Sequence, residues 1–331
     1  MLITDQHPLN KSISVALVGH PNVGKSTLIN ALLGMDLSIV SAKPQTTRNQ
    51  FHCVTHVDRT EVILMDTPGV HKSMQEMNLR MNHEAFLAQE GADITWAVCD
   101  GSRGNDFVVQ QLSSLKDGVS EINQEIWLVV TKMDQWNVAK RPIKLEFNHL
   151  LESAQKIYPT VKKIYFVSAK DESGTNELLH DVSQYAPGAP HHYPDGSLSN
   201  KNVRFFVSEF IREQVFELLQ EELPYEIAVT IESFEDIDPE TSTSKSDIVA
   251  RISAVIHVNR MGQRAIVVGQ GGLMIRDIGT RARQKIENLL GGKVMLKLHA
   301  KVSPKWFKNH MMLEELGLSR APQSIRSWRD H

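Results

Sequence analysis

Residues Gly19, His20, Pro21, Asn22, Val23, Gly24, Lys25 and Ser26 fit the pattern G-x-x-x-x-G-K-[ST]. An apolar β-branched run, Ile13–Val18, precedes them, and a helix-forming stretch, Lys25–Leu33, follows. No other feature confines the fold so tightly. A strand must end in a glycine-rich curl that opens directly into a helix. The curl points successive N–H groups at one anion, and the helix N-terminus adds its partial positive charge. Lys25 then reaches β- and γ-phosphates, Ser26 ligates Mg²⁺, and Thr27 continues the cradle into the helix.

The chain beyond it repeats this alternation. Apolar runs at Glu61–Met65, Ile94–Cys99, Glu125–Val130 and Lys163–Val167 alternate with helical patterns at Leu79–Gly91, Phe107–Leu115, Lys144–Lys156 and Thr175–Tyr185. Such a rhythm predicts an α/β P-loop domain: a mostly parallel sheet with helices on both faces. It stops near Pro187, where prolines and glycines crowd residues 187–202 into an expected linker. A second, smaller α+β domain is expected over 203–318. Its helix is Val203–Gln220, its strands Tyr225–Ser233, Asp247–Asn259 and Lys293–Val302, and its second helix Leu273–Leu290. Arg264–Val268 reads equally as strand or helix end. The expected organisation is a flexible N-terminus (1–12), a nucleotide domain (13–186), the linker, the second domain and a polar tail (319–331).

The formal charge, 36 basic against 39 acidic side chains, hides a dipole. Phe205–Ala250 holds 12 acidic and 2 basic residues; Arg260–Lys308 holds 11 basic and 2 acidic. A nucleic-acid partner is therefore sought in the second stretch, and the acidic one reads as a solvated helix face and loop, with an electrostatic switch that masks the basic face as the alternative. Two cysteines, Cys53 and Cys99, make no disulfide framework and read as buried thiols. His191 and His192 read as solvated linker rather than metal ligands. No secretory or transit peptide and no membrane-length apolar run is seen, so a reducing cytoplasm is expected.

Further motifs follow in the order a nucleotide switch requires. Asp66, Thr67, Pro68 and Gly69 come directly after an apolar run. An acid there holds Mg²⁺ through water, and the Gly69 N–H can approach a γ-phosphate. Thr46 and Thr47 lie in a polar loop where one hydroxyl can complete the Mg²⁺ shell. Thr131, Lys132, Met133 and Asp134 end another run. A carboxylate at Asp134 accepts from guanine N1–H and the 2-amino group; adenine offers neither, which makes the pairing discriminating. Ser168, Ala169 and Lys170 follow the last run, where backbone N–H groups can close over a base.

Taken in order, GHPNVGKS, PQTTR, DTPG, TKMD and SAK resemble the guanine-nucleotide motifs of the translation-factor-related GTPases, and the spacing is most similar to the Era family. The resemblance implies a GTP phosphohydrolase. Lys25, Asp66 and Gly69 would carry catalysis, and Ser26, Thr47 and Asp66 would hold Mg²⁺. Two positions depart from it. Thr131 stands where N-K-x-D has Asn, and Val70 stands where many signalling GTPases carry a water-orienting Gln, which implies slow unaided hydrolysis. Asn22 matches a position that in relatives helps place K⁺.

In the basic stretch, Gly269, Gln270, Gly271 and Gly272 form a G-x-x-G turn running into a helix. A KH domain clamps about four nucleotides on such a loop. Arg276 and Arg281 on the helix, with Arg283, Lys285, Lys297, Lys301 and Lys305, supply a charge track. Trp306 reads equally as a base-stacking or a packing residue. From Val15 to Leu318 the chain resembles Era proteins with their C-terminal type II KH domain, although Gly271 stands where that loop commonly holds Lys. The resemblance implies binding of small-subunit ribosomal RNA near its 3′ end, assistance to small ribosomal subunit assembly, and peripheral contact with the inner face of the cell membrane. A monomer is expected. Two other function classes stay open at this point: an RNA-binding assembly factor that uses GTP only as a ligand, and an ATP-using P-loop enzyme, against which Asp134 argues.

Overall fold

The computed structural model describes residues 6–40, 50–68, 88, 90–116, 125–136, 143–219, 223–237 and 248–316. The chain divides into two compact units between Asn200 and Lys201.

In the first unit six strands form one sheet: β1 (Lys11–Val18), β2 (Phe51–Val57), β3 (Thr60–Asp66), β4 (Ile94–Asp100), β5 (Glu125–Thr131) and β6 (Val161–Phe166). Their order is β2-β3-β1-β4-β5-β6. All neighbours are parallel except β2, which pairs antiparallel with β3. The central strands are apolar along their whole length because both faces are covered. On β5, Ile126, Leu128 and Val130 pack under helices α2 (Asn105–Lys116) and α3 (Ile143–Ile157). Trp127 points the other way and stacks against Tyr165 and Tyr185, on the face served by α1 (Lys25–Leu33) and α4 (Thr175–Tyr185). Cys53 and Cys99 are both fully buried; burial pushes the Cys99 thiol up to about 12.

Three sequence expectations need correction here. The apolar runs pass over β2, because His52, Thr55 and His56 interrupt its apolar positions; it is an edge strand with one wet face. Residues 6–12 are ordered, not flexible: Gln6 exchanges hydrogen bonds with the backbone of His191, and Lys11 and Ser12 begin β1. Third, residues 187–200 are not a free linker but a strap along the sheet. The His192 and Tyr193 N–H groups donate to Glu61 at 2.8 and 2.9 Å, and the Ser12 hydroxyl donates to the same carboxylate at 2.8 Å. Further along, Tyr193 Oη bonds His52 Nδ1 at 2.6 Å, and Asn200 accepts from the His52 N–H at 2.9 Å. Residues 1–5 and the tail 319–331 lie outside the described residues.

The second unit follows the order α5 (Val203–Leu218), β7 (Ala228–Asp236), β8 (Ile248–Val258), α6 (Met261–Val268), α7 (Leu273–Leu290), β9 (Lys293–Val302), with a short α8 (His310–Glu315). The sheet order is β7-β8-β9, antiparallel then parallel. This α-β-β-α-α-β sequence is the type II KH arrangement, and it settles Arg264–Val268 as helix. Helices α5 and α7 pack together over the sheet. Their opposite charges meet there: Glu213, 1% exposed, takes Lys285 at 2.8 Å. Part of the acidic stretch is therefore structural, and Lys285 leaves the charge track. Trp306 is buried and donates its indole N–H to the Glu226 carbonyl at 2.7 Å, so it packs rather than stacks on a base. No helix among the described residues is long and apolar enough to cross a membrane.

Candidate functional site

The loop from Gly19 to Gly24 joins β1 to α1 at the C-terminal edge of the sheet, where an open α/β sheet places its ligands. Gly19 is demanded by packing: a Cβ there would lie 2.4 Å from the Val98 carbonyl on β4. Pro21 and Val23 complete the turn, and Asn22 takes a left-handed φ of 62° at its exposed crest. Lys25 opens α1 and is buried, with Nζ donating to the carbonyls of Gly19 (2.9 Å) and His20 (3.1 Å). Burial pushes its pKa down to about 8, opposed by the charge of Asp66. A buried ammonium at the mouth of a ring of N–H groups is a strong anion receptor.

Asp66 ends β3 beside this loop and is fully buried. Ser26 Oγ donates to its Oδ2 at 3.2 Å. Two hard oxygen donors so close suit Mg²⁺. Thr67, also buried, donates its hydroxyl to the Leu17 carbonyl and so locks the end of β3 to β1. Thr27 is half-buried in the first turn of α1, and Pro68 follows Thr67. Thr46, Thr47, Gly69 and Val70 lie outside the described residues.

The third group converges from β5 and β6. Asp134 is exposed and accepts from the buried Ser168 hydroxyl at 3.1 Å. Lys132 pairs with Asp100 at 2.7 Å. Burial would raise the Asp100 pKa, but Lys132 and Ser102 hold it below the ordinary carboxylate value. Ala169 is half-buried and Lys170 exposed beside Ser168. The Thr131 hydroxyl is shared between the Val23 carbonyl (2.5 Å) and the Cys99 carbonyl (3.1 Å). The residue that ends β5, three positions before Asp134, thus braces the Gly19–Gly24 loop directly.

In the second unit Gly269, Gln270, Gly271 and Gly272 turn the chain from α6 into α7. Gly269 has φ 72°, and a Cβ there would lie 2.6 Å from Met274 Cβ. Gln270 and Arg276 are exposed beside the N-terminus of α7, and Arg281 is exposed but pairs with Asp277 at 3.5 Å. Lys301 is exposed on β9, where Arg264 reaches across to donate to the Ala300 carbonyl at 2.8 Å. Sequence reasoning passed over two residues here. Ile266 and Leu273 flank the turn 55% and 65% exposed, apolar side chains left in water on helices that also carry the exposed Arg264 and Arg276. Their exposure is invisible in a helical pattern that reads them as core.

Residues 14–132 match the family model of a 50S ribosome-binding GTPase, and residues 222–307 match that of a KH domain. GTPase Era of Leuconostoc citreum is 36% identical over 311 residues, covering 93% of this chain and 96% of its own. GTPase Era of Geobacter sp. is 36% identical over 303 residues, covering 92% and 96%. A crystal structure of Era with MgGDPNP and nucleotides 1506–1542 of 16S ribosomal RNA superposes with TM-score 0.81 at 29% identity, covering 94% of this chain and 99% of that one. Aquifex aeolicus Era bound to GDP and aluminium fluoride gives TM-score 0.82 at 29% identity, covering 93% and 99%. With relatives 36% identical along more than nine tenths of both chains, and with family models of a GTPase and a KH domain matching its two parts, this chain belongs to the Era family of GTPases.

Proposed function

We propose that this chain binds GTP and GDP, hydrolyses GTP, and uses its nucleotide state to govern binding of small-subunit ribosomal RNA during assembly of that subunit. The convergence of Lys25, Ser26 and Asp66 at one end of the sheet, with Asp134 and Ser168 beside it, carries the nucleotide half. For the RNA half, the support is the Gly269–Gly272 turn with its exposed Arg276 and Lys301, and the relative bound to both MgGDPNP and 16S ribosomal RNA.

The loop N–H groups of His20 and of Asn22 to Ser26, together with the Lys25 ammonium, hold the phosphates and stabilise charge as water attacks the γ-phosphoryl group. Ser26 and Asp66, with Thr47 by resemblance, would hold Mg²⁺, which when bound neutralises phosphoryl oxygen charge. Gly69 would meet the γ-phosphate. Asp134 accepts from guanine N1–H and the 2-amino group, Lys132 flanks the base, and the backbone of Ser168, Ala169 and Lys170 closes over it. Asn22, at the crest of the loop, is the K⁺ contact the resemblance implies. The setting is a cytoplasmic monomer; peripheral membrane contact rests on resemblance alone. Gly269, Gln270, Gly271 and Gly272 clamp the RNA backbone while Arg276, Arg281 and Lys301 neutralise phosphates. Ile266 and Leu273 offer apolar surface to bases.

The test is single-turnover hydrolysis with and without small-subunit ribosomal RNA, with ATP as competitor. GTP turnover that RNA accelerates, that ATP does not inhibit and that Lys25→Ala abolishes is expected. Turnover that survives Lys25→Ala overturns the proposal.

A further inference from the structure

Helix α2 carries none of the nucleotide motifs, yet two of its side chains hold both ends of the site. At the phosphate end, Ser114 Oγ lies 2.5 Å from His20 Nε2, and the same ring nitrogen lies 3.3 Å from the Gln111 carbonyl. His20 is one of the two loop residues whose carbonyls meet Lys25. At the base end, the Gln111 side-chain amide grips the backbone of Asp100 from both sides. Its Oε1 accepts from the Asp100 N–H at 3.0 Å, and its Nε2 donates to the Asp100 carbonyl at 3.0 Å. Asp100 in turn takes Lys132 at 2.7 Å, and the next N–H, from Gly101, donates to the Thr131 carbonyl at 2.9 Å.

We propose that Gln111 and Ser114 are positioning residues for the nucleotide, Ser114 setting the phosphate loop through His20 and Gln111 setting the base-reading motif through Asp100. The proposal rests on the nucleotide reading above. Gln111 is 7% exposed, and its amide spends its acceptor and both donors on backbone, the second donor on Phe107 at 3.2 Å. An amide so fully committed fixes the strand end on which Lys132 and Asp134 depend. Preorganisation of this kind shows as ligand affinity, because a loosened site must be ordered again each time it binds.

The two arms make separable demands. Losing one neutral hydrogen bond costs about fivefold in affinity. Ser114→Ala should weaken GDP by about that factor while leaving the preference for GDP over IDP, which lacks the 2-amino group, unchanged. Gln111→Met should weaken GDP similarly and also reduce the GDP-over-IDP preference. Ser114→Thr, which keeps the hydroxyl, should bind like wild type. In a His20→Ala background, Ser114→Ala should have no further effect on GDP affinity, since the one partner Ser114 keeps is the Gln111 carbonyl of its own helix, at 3.3 Å.

Calorimetric titration of GDP, IDP and ADP into wild type and these variants, with melting temperatures taken in parallel, decides the matter. Unchanged GDP affinity with a lowered melting temperature makes the contacts merely structural and overturns the proposal. So do additive losses in the His20→Ala, Ser114→Ala pair. If Gln111→Met does not fold, that pair and Ser114→Thr still decide the Ser114 arm, and Gln111→Glu, which keeps the acceptor for the Asp100 N–H, decides the other by its GDP-over-IDP ratio. A wild-type protein that binds ADP as well as GDP removes the nucleotide reading itself, a different failure from normal GDP preference with silent variants.

Discussion

Raising the pH from about 7 to about 8.8 is expected to weaken GDP binding about sevenfold, and the effect belongs to one side chain. Burial holds the Lys25 pKa down to about 8 in the free protein. A phosphate beside the ammonium restores an ordinary or higher value, so only the protonated form binds well. With a pKa of about 8, the protonated fraction falls from about 0.9 at pH 7 to about 0.14 at pH 8.8, and the ratio is the expected loss. GMP has the same base but no β-phosphate for Lys25 to meet, so its affinity reports base ionisation alone and serves as the control. The same side chain leaves a mark on stability. Between about pH 8 and 10.5 the unfolded chain binds the extra proton, so the free protein gains stability as pH rises through that window, by up to about 3 kcal/mol. Denaturant titrations of wild type against Lys25→Met should show this gain only in wild type. A GDP affinity that is flat across the window after the GMP correction refutes the argument that Lys25 is a desolvated phosphate receptor.

Other perturbations have equally definite outcomes. Gly269→Ala places a Cβ 2.6 Å from Met274 at a positive φ and should cost about 2–3 kcal/mol in thermal melts together with RNA binding, whereas Gly271→Ala meets open space and should cost only about 1 kcal/mol. Thr131→Val removes the hydroxyl shared with the Val23 carbonyl and should weaken GDP about fivefold by fluorescence titration. Burial would raise the Glu61 pKa, but N–H groups of His192 and Tyr193 and the Ser12 hydroxyl hold it below 4.5. The strap's contribution is therefore present above about pH 4.5 and lost as pH falls below it. Limited proteolysis between residues 187 and 200 should accelerate in acid, and Glu61→Gln should accelerate it already at neutral pH. Arg276→Ala should weaken RNA binding without altering sequence preference and lower the salt slope by about one.

Local structure was legible wherever the chain's neighbours in sequence decide it. Helices Lys25–Leu33 and Thr175–Tyr185 end where their flanking glycine, proline and apolar spacing say they do. The placement of Lys25, Asp66 and Asp134 on one edge of the sheet was legible because each lies at or shortly after the end of an apolar strand run. What escaped was decided across the sheet. Strand β2 has two histidines and forms only because β3 offers an edge. The strap looks like a linker by composition, and only the buried Glu61 reveals that it is docked. Gln111 and Ser114 look like ordinary polar positions on an amphipathic helix until α2 is laid against β4 and the phosphate loop. Lys285 looks like part of an RNA track until α5 brings Glu213 to it.

The most direct measurement is RNA crosslinking of the full chain in cell extract with either a non-hydrolysable GTP analogue or GDP bound, followed by identification of the captured RNA. The account predicts small-subunit ribosomal RNA from its 3′ region, captured more strongly with the GTP analogue than with GDP, and lost in a Gly269→Asp, Gly271→Asp double variant. Equal capture with the two nucleotides, or capture of other RNA, would contradict it.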